Sequence, residues 1–174
     1  IELITPAAML ESLKVMRIGP DEIARHRDGI SLNQPLPRLL AAVGLFDRSA
    51  APAPDSLTVS SQVKDFNEKI ASTPAFFWMV TDGNERPTQV NAGRAWVRAQ
   101  LAATAQGLVM QPLQQALQEY PQQAGPYAAI HRLLGAQRPG QTVQMWARLG
   151  RAPAHEPAIE PAPRRGVDAV LLSA

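Results

Sequence analysis

Few side chains in this 174-residue chain could do chemistry, and their spacing narrows them further. His26, His131 and His155 sit on unrelated segments with no His-x3-His pair, so no metal site is expected and surface or capping roles suit them better. A Gly-x-Ser-x-Gly elbow and a phosphate loop of the P-loop or dinucleotide type are both missing, which removes the standard hydrolase and kinase templates. No residue is assigned a catalytic role. Most acidic residues lie beside bases or turns and read as a solvated face. Pro163-Arg164-Arg165-Gly166 places two guanidinium groups after a proline-stiffened approach, and such planar, permanently charged forks match a phosphate dianion. On the residues alone, the plainer reading of that pair is an exposed basic pair in a surface tail. Trp78, Trp96 and Trp146 lie on apolar segments, where core packing is expected before a ligand platform.

The element that would position any site runs from Arg86 to Gly107 and reads as one helix. Val90, Val97, Leu101 and Leu108 follow steps of seven, four and seven, so they share a face expected to point into a core. Ala92, Gly93, Ala95, Ala99, Ala102, Ala103 and Ala105 leave the rest of the helix small enough for neighbours to approach closely. Gly107 can close the helix in the left-handed conformation and Pro112 cannot continue it, which makes Leu108 to Gln111 a short extended connection before a second helix over Pro112 to Tyr120.

Upstream, helices are expected over Pro6 to Ile18, with Leu10, Leu13 and Met16 at helical spacing, and over Asp21 to Arg27, followed by an Asp28-Gly29 turn. A third helix over Pro35 to Leu45 should turn Leu36, Leu39, Leu40 and Val43 inward. The stretch from Asp47 to Ser56 has the composition of an exposed loop. Ser60 or Ser61 can cap an amphipathic helix to about Ile70, and Ala75 to Thr81 reads as a strand buried on both faces. Downstream, Pro126 to Leu134 is helical with Tyr127, Ile130, Leu133 and Leu134 inward. Thr142 to Leu149 is a second strand, with Val143, Met145, Ala147 and Leu149 in strict alternation. A Pro-rich tail from Arg151 to Arg165 leads to a final strand or turn of helix over Val167 to Leu172. The pattern is α+β.

Length favours a single domain over residues 1–174. Apolar residues at 45% and charged residues at 18% describe a globular, soluble chain. A formal charge of +2 without a basic stripe gives no reason to expect nucleic-acid binding. No apolar run approaches the roughly 20 residues of a membrane span. The absence of cysteine rules out disulfides and thiol chemistry. A first residue of Ile1 rather than Met reads as a processed or truncated chain, with sequence missing upstream.

NAGRAWVRAQLAATAQGLVMQPLQQALQEYP, then TVQMWARLGRAP, then PAPRRGVDAVL resemble the carboxy-terminal half of nitroreductase-like flavoproteins of the Acg-type branch. The shared marks are Ala92 to Ala95, Gly107-Leu108, Gln111 to Leu113, Arg148 to Gly150 and Pro163 to Arg165; RHRDGISL at Arg25 to Leu32 and IASTPAFFWMVTDGNERPTQ extend the likeness over most of the chain. The resemblance implies a mixed sheet flanked by helices around the central Ala-rich helix. It implies flavin mononucleotide (FMN) held in a homodimer or in a pseudo-dimer whose amino-terminal half is missing here. The implied reaction is hydride transfer from NAD(P)H through the flavin to an electron-poor small-molecule acceptor, in the cytoplasm. The flavin ring is expected against Gly107, Leu108, Met110, Gln111, Pro112 and Leu113, an apolar wall with backbone donors, and its phosphate at Arg164 or Arg165. The amino-terminal Arg-Ser segment by which such enzymes grip the flavin is not in this sequence, and a non-catalytic flavin-binding or flavin-sequestering module of the same fold is the alternative.

Overall fold

A computed structural model describes residues 1–152, 163–169 and 171. His155 and most of the Pro-rich tail lie outside the described residues. The fold is α+β, and its contacts divide it into two compact units: Glu2–Val59 with Pro157–Ala174, and Ile1 with Ser60–Glu156.

In the first unit, Pro6 opens helix α1 (Pro6–Lys14), which buries Met9 and Leu13. The helix stops four residues earlier than the apolar spacing suggests, because Met16–Ile18 is a strand, β1. Helix α2 (Gly19–His26) follows with Pro20 in its first turn, so the Gly-Pro pair begins a helix directly after the strand. Strand β2 (Ile30–Leu32) then pairs parallel to β1 in the register Met16 to Ile30. The third helix, α3 (Pro35–Ala42), leaves Leu36, Leu39 and Val43 exposed rather than inward, since a sheet of two three-residue strands offers too little surface to cover them.

A two-pronged ion pair links Arg48 to α2 in this unit. Arg48, from the stretch read as an exposed loop, donates Nη1 to Glu22 Oε2 at 2.9 Å and Nη2 to Glu22 Oε1 at 3.0 Å, and Nη1 also reaches the Met16 carbonyl at 2.9 Å. Glu22 in turn accepts from the Ile18 backbone N–H, capping the start of α2. The Arg48 hydrogen bond, then the Ile18 N–H, lower the Glu22 carboxyl from 4.5 to about 2. A depressed carboxyl stabilises the folded form above about pH 4.5, and that stability is lost as pH falls from 4.5 towards 2. With solvent screening of the part-exposed Arg48, the contribution is about 1–2 kcal/mol. Arg48→Met should therefore lower stability at pH 6 and shrink the difference from wild type by pH 2.5, read from paired thermal melts. A difference independent of pH would show that the pair does not titrate.

Ser56, near the end of the first unit's range, caps helix α4 (Leu57–Ala71) by accepting from the Val59 N–H, so the helix starts before either serine expected to cap it; from Ser60 onward it belongs to the second unit. Strand β3 (Ala75–Asp82), helix α5 (Arg86–Ala105), strand β4 (Val109–Pro112), helix α6 (Ala124–Leu133) and strand β5 (Gln141–Gly150) complete it. The sheet order is β3-β5-β4, with β5 antiparallel to both neighbours. The outer strands therefore run parallel to each other, joined by α5 and split by β5. The two units carry two small sheets in place of one mixed sheet.

α5 packs on the sheet through the opposite side from the one its aliphatics suggest. Ala92 and Ala103 are buried and Trp96 meets Phe77 at 6.0 Å between ring centroids, whereas Val90, Val97 and Leu101 are exposed. The sheet supplies the bulk on that side, with Phe77, Met79, Met145 and Leu149, so the small face of the helix fits against it. Strand β3 is an edge strand and is not buried on both faces; Trp78 is 46% exposed. Only Gln114–Leu117, a 3-10 turn, is helical within the segment expected as a helix from Pro112 to Tyr120. On α6 the buried residues are Ile130 and His131, and Leu133 is exposed. At the other end of the chain, Val167–Ala169 forms a single 3-10 turn.

Candidate functional site

Strand β5 is the axis of the site. Its partners shift register between Met79 and Val80, which leaves Gln144 as an extra residue on β5. The bulge breaks the strict alternation expected of this strand: Val143 falls on the face of Trp146 and Arg148, while Met145, Ala147 and Leu149 face α5. Two side chains from outside the sheet hold the bulged stretch. The Val143 N–H donates to His131 Nε2 at 3.1 Å, so that nitrogen carries no proton, and Nδ1–H must donate to the Tyr127 carbonyl at 2.9 Å. His131 is thus a buried structural clamp rather than a surface or capping residue. Beside it, burial first and the Glu119 carboxylate second raise the Tyr127 phenol above its usual range.

The second holding side chain is Gln114. β4 pairs with β5 as far as the Leu113 N–H, which donates to the Trp146 carbonyl at 2.8 Å. The chain then leaves the sheet, and the Gln114 amide takes over the ladder, accepting from the Trp146 N–H at 3.0 Å and donating to the Gln144 carbonyl at 3.2 Å.

On the sheet face turned away from α5, this scaffold gathers Phe76 and Trp78 from β3, Trp146 and Arg148 from β5, and Gln111 from β4. Phe76 and Trp146 stack at 5.7 Å between centroids with planes 29° apart. Arg148 lies between its cross-strand neighbours Phe76 and Gln111, and donates Nη1 to Gln111 Oε1 at 3.1 Å. Its Nε is buried and has no hydrogen-bond partner among the described residues. Buried donors are rarely left so, and a planar ring bearing acceptor atoms would meet both the aromatic rings and this guanidinium.

The residues expected to form an apolar wall do not share one surface. Gly107 closes α5 at φ 68°, with its own N–H bonded to the Thr104 carbonyl and the Leu108 N–H to the Ala103 carbonyl, as a glycine-ended helix requires. From there strand alternation divides the segment: Met110 and Pro112 lie on the α5 side, and Val109 and Gln111 on the aromatic side. Leu113 is buried in the core and Leu108 is half-buried. Pro112 is harmless to the ladder, because the Leu113 N–H points at β5 and the alternate position therefore faces outward. Of the expected ring contacts, Gln111 alone joins the aromatic and guanidinium cluster. Arg164 and Arg165 belong to the other unit; Arg164 is exposed, and Arg165 Nη1 lies 3.9 Å from Asp28, whose carboxylate also pairs with Arg17 at 3.0 Å.

Arg148 enters the sequence reading only as part of an Arg-Leu-Gly motif, and Trp78 and Trp146 as core. The available signal was the pairing of two aromatic strand segments, one of them carrying an arginine two residues beyond its tryptophan. Among the described residues, no group of three His, Asp or Glu side chains could hold a metal ion, and no helix is long and apolar enough to cross a membrane. Comparisons with protein families, with curated proteins and with solved structures return no match.

Proposed function

We propose that this chain is the flavin-binding part of a nitroreductase-type oxidoreductase, with the FMN ring against Phe76, Trp78 and Trp146. The observation that carries this reading is the unpartnered Arg148 Nε within an aromatic sheet face, which fits a planar ring with carbonyl acceptors. The ordered motifs from Ala92 to Arg165 support the choice of flavin among such rings. Gln111 fixes the guanidinium through Nη1, and the rings exclude water from one side of the bound group. Bound FMN supplies the hydride-accepting chemistry between NAD(P)H and an electron-poor acceptor. A partner polypeptide, either another copy or a related half, completes the site.

Titration of the chain with FMN and with riboflavin, followed by quenching of flavin fluorescence, tests the assignment. Saturable binding of both is expected. Arg148→Met should weaken both ligands by about 1.5–3 kcal/mol, roughly ten- to a hundred-fold. Wild-type affinity in Arg148→Met would remove the ring site. NAD(P)H oxidation with nitroaromatic or quinone acceptors then separates turnover from a module that only sequesters flavin.

A further inference from the structure

The surface of α5 that faces away from the sheet is left with its largest side chains. With 3.6 residues per turn, Ala92, Trp96, Ala99 and Ala103 line one side of the helix, and Val90, Val97 and Leu101 line the opposite side, about half a turn away. Those three are 57%, 52% and 65% exposed, and no rearrangement of the sheet beneath α5 could cover them. Arg86 and Arg94 lie along the same stripe and Arg98 beside it, all exposed, and the helix carries no acidic residue from end to end.

We propose that this stripe is a docking surface for an acidic amphipathic helix of another polypeptide. Steps of seven and four residues give a seam one side chain wide, the pattern by which one helix packs along another. The seam spans about three turns, enough for a partner segment of about 12–15 residues. A second copy of α5 is disfavoured as the occupant. Placed along itself in either direction, the helix sets arginine near arginine with no carboxylate on either strand of the pair, and like charges at such spacing repel. A lipid surface fits less well, because membrane-lying helices present a broad apolar face with aromatic residues, and this stripe is narrow and wholly aliphatic. The inference does not rest on the flavin reading; it uses the opposite side of the unit from Arg148. It also gives a reason to favour a different half over an identical copy as the completing unit.

Fluorescence anisotropy with two synthetic helical peptides of about 15 residues provides the test, both with Leu at helical seam spacing, one flanked by Glu and one by Lys. The full chain is expected to bind the Glu peptide at least tenfold more tightly than the Lys peptide. The double variant Arg94→Glu and Arg98→Glu should reverse that order, and Leu101→Ser should weaken Glu-peptide binding at least tenfold. Melting temperatures within a few degrees of wild type are expected for both variants, because the substituted positions are exposed. Equal affinity for the two peptides, or an unreversed order in the double variant, overturns the proposal. So does self-association of the chain alone that Leu101→Ser disperses, which would make the occupant a second copy. Tighter binding to phosphatidylglycerol vesicles than to the Glu peptide would make it a membrane.

Discussion

His131→Ala is expected to lower the unfolding free energy of the unit built on β5 by about 3–4 kcal/mol. Two losses contribute. The imidazole is the hydrogen-bond partner of the Val143 N–H, a backbone donor beside a β-bulge that has no strand partner to take its place. Leaving that donor buried and unpaired accounts for about 1–3 kcal/mol. The ring also lies tilted against Tyr127 at 4.1 Å between centroids, and its removal opens space between α6 and the sheet. His131→Phe separates the terms, because it restores ring volume and leaves the donor unpaired. It should recover a part of the stability only. Trp78, Trp96 and Trp146 are the chain's three tryptophans and all lie in this unit, so urea unfolding followed by tryptophan fluorescence reports on it directly. Wild-type stability in His131→Phe would mean that the Val143 N–H has no need of the imidazole, and the clamp assignment would fail.

Local chemistry in the sequence reaches as far as features that local chemistry decides. Gly107 closes α5 because a left-handed residue is needed there, with its own N–H bonding back to Thr104 and the Leu108 N–H to Ala103. The span of β5 is legible because its alternation and its flanking glycines are both near in sequence. The side of α5 that packs inward is not legible in the same way. Periodicity shows that the helix has an aliphatic stripe and a small stripe, and the choice between them was made by Phe77, Met79 and Met145 on the sheet, which already fill the space a large helix residue would need. The reading of strict alternation in β5 fails for a similar reason. One extra residue, Gln144, moves Val143 to the other face, and nothing in the run TVQMWARL marks it, because the cause is the partner strand and His131.

The candidate site shows the same division between near and distant causes. Gln111 was found through its neighbours in a motif, yet it matters in the structure because it holds Arg148, 37 residues away. Gln114 replaces a backbone partner for Trp146 across 32 residues, and Arg48 reaches Glu22 across 26 from a segment whose composition says only that it is a loop. In each case a long polar side chain does what secondary structure would otherwise do. Composition and periodicity record that such side chains are present and carry no information about which distant group they meet.

Gly29→Ala is expected to destabilise the unit that holds β1 and β2 by about 3 kcal/mol or more. Two demands coincide at this residue. Its φ is 75°, a conformation that costs an L side chain about 1–2 kcal/mol. A Cβ placed there would also run into the Val15 carbonyl oxygen, a backbone atom held in place because it accepts from the Ile30 N–H at 2.9 Å. Relief of the clash would have to move the end of α1 away from the start of β2, and with it the neighbouring Asp28 that pairs with Arg17. Gly44 supplies the control, since its φ is 72° but a Cβ there would meet nothing within 4 Å. Gly44→Ala should therefore show the conformational term alone, about 1–2 kcal/mol. Hydrogen exchange of peptides covering Met16 to Leu32 reads the unit without relying on tryptophan, which it lacks. Protection there should fall at least tenfold further in Gly29→Ala than in Gly44→Ala, because about 1.4 kcal/mol separates each factor of ten. Equal losses in the two variants would show that the backbone conformation alone, and not the approach of Val15, is what requires glycine between α2 and β2.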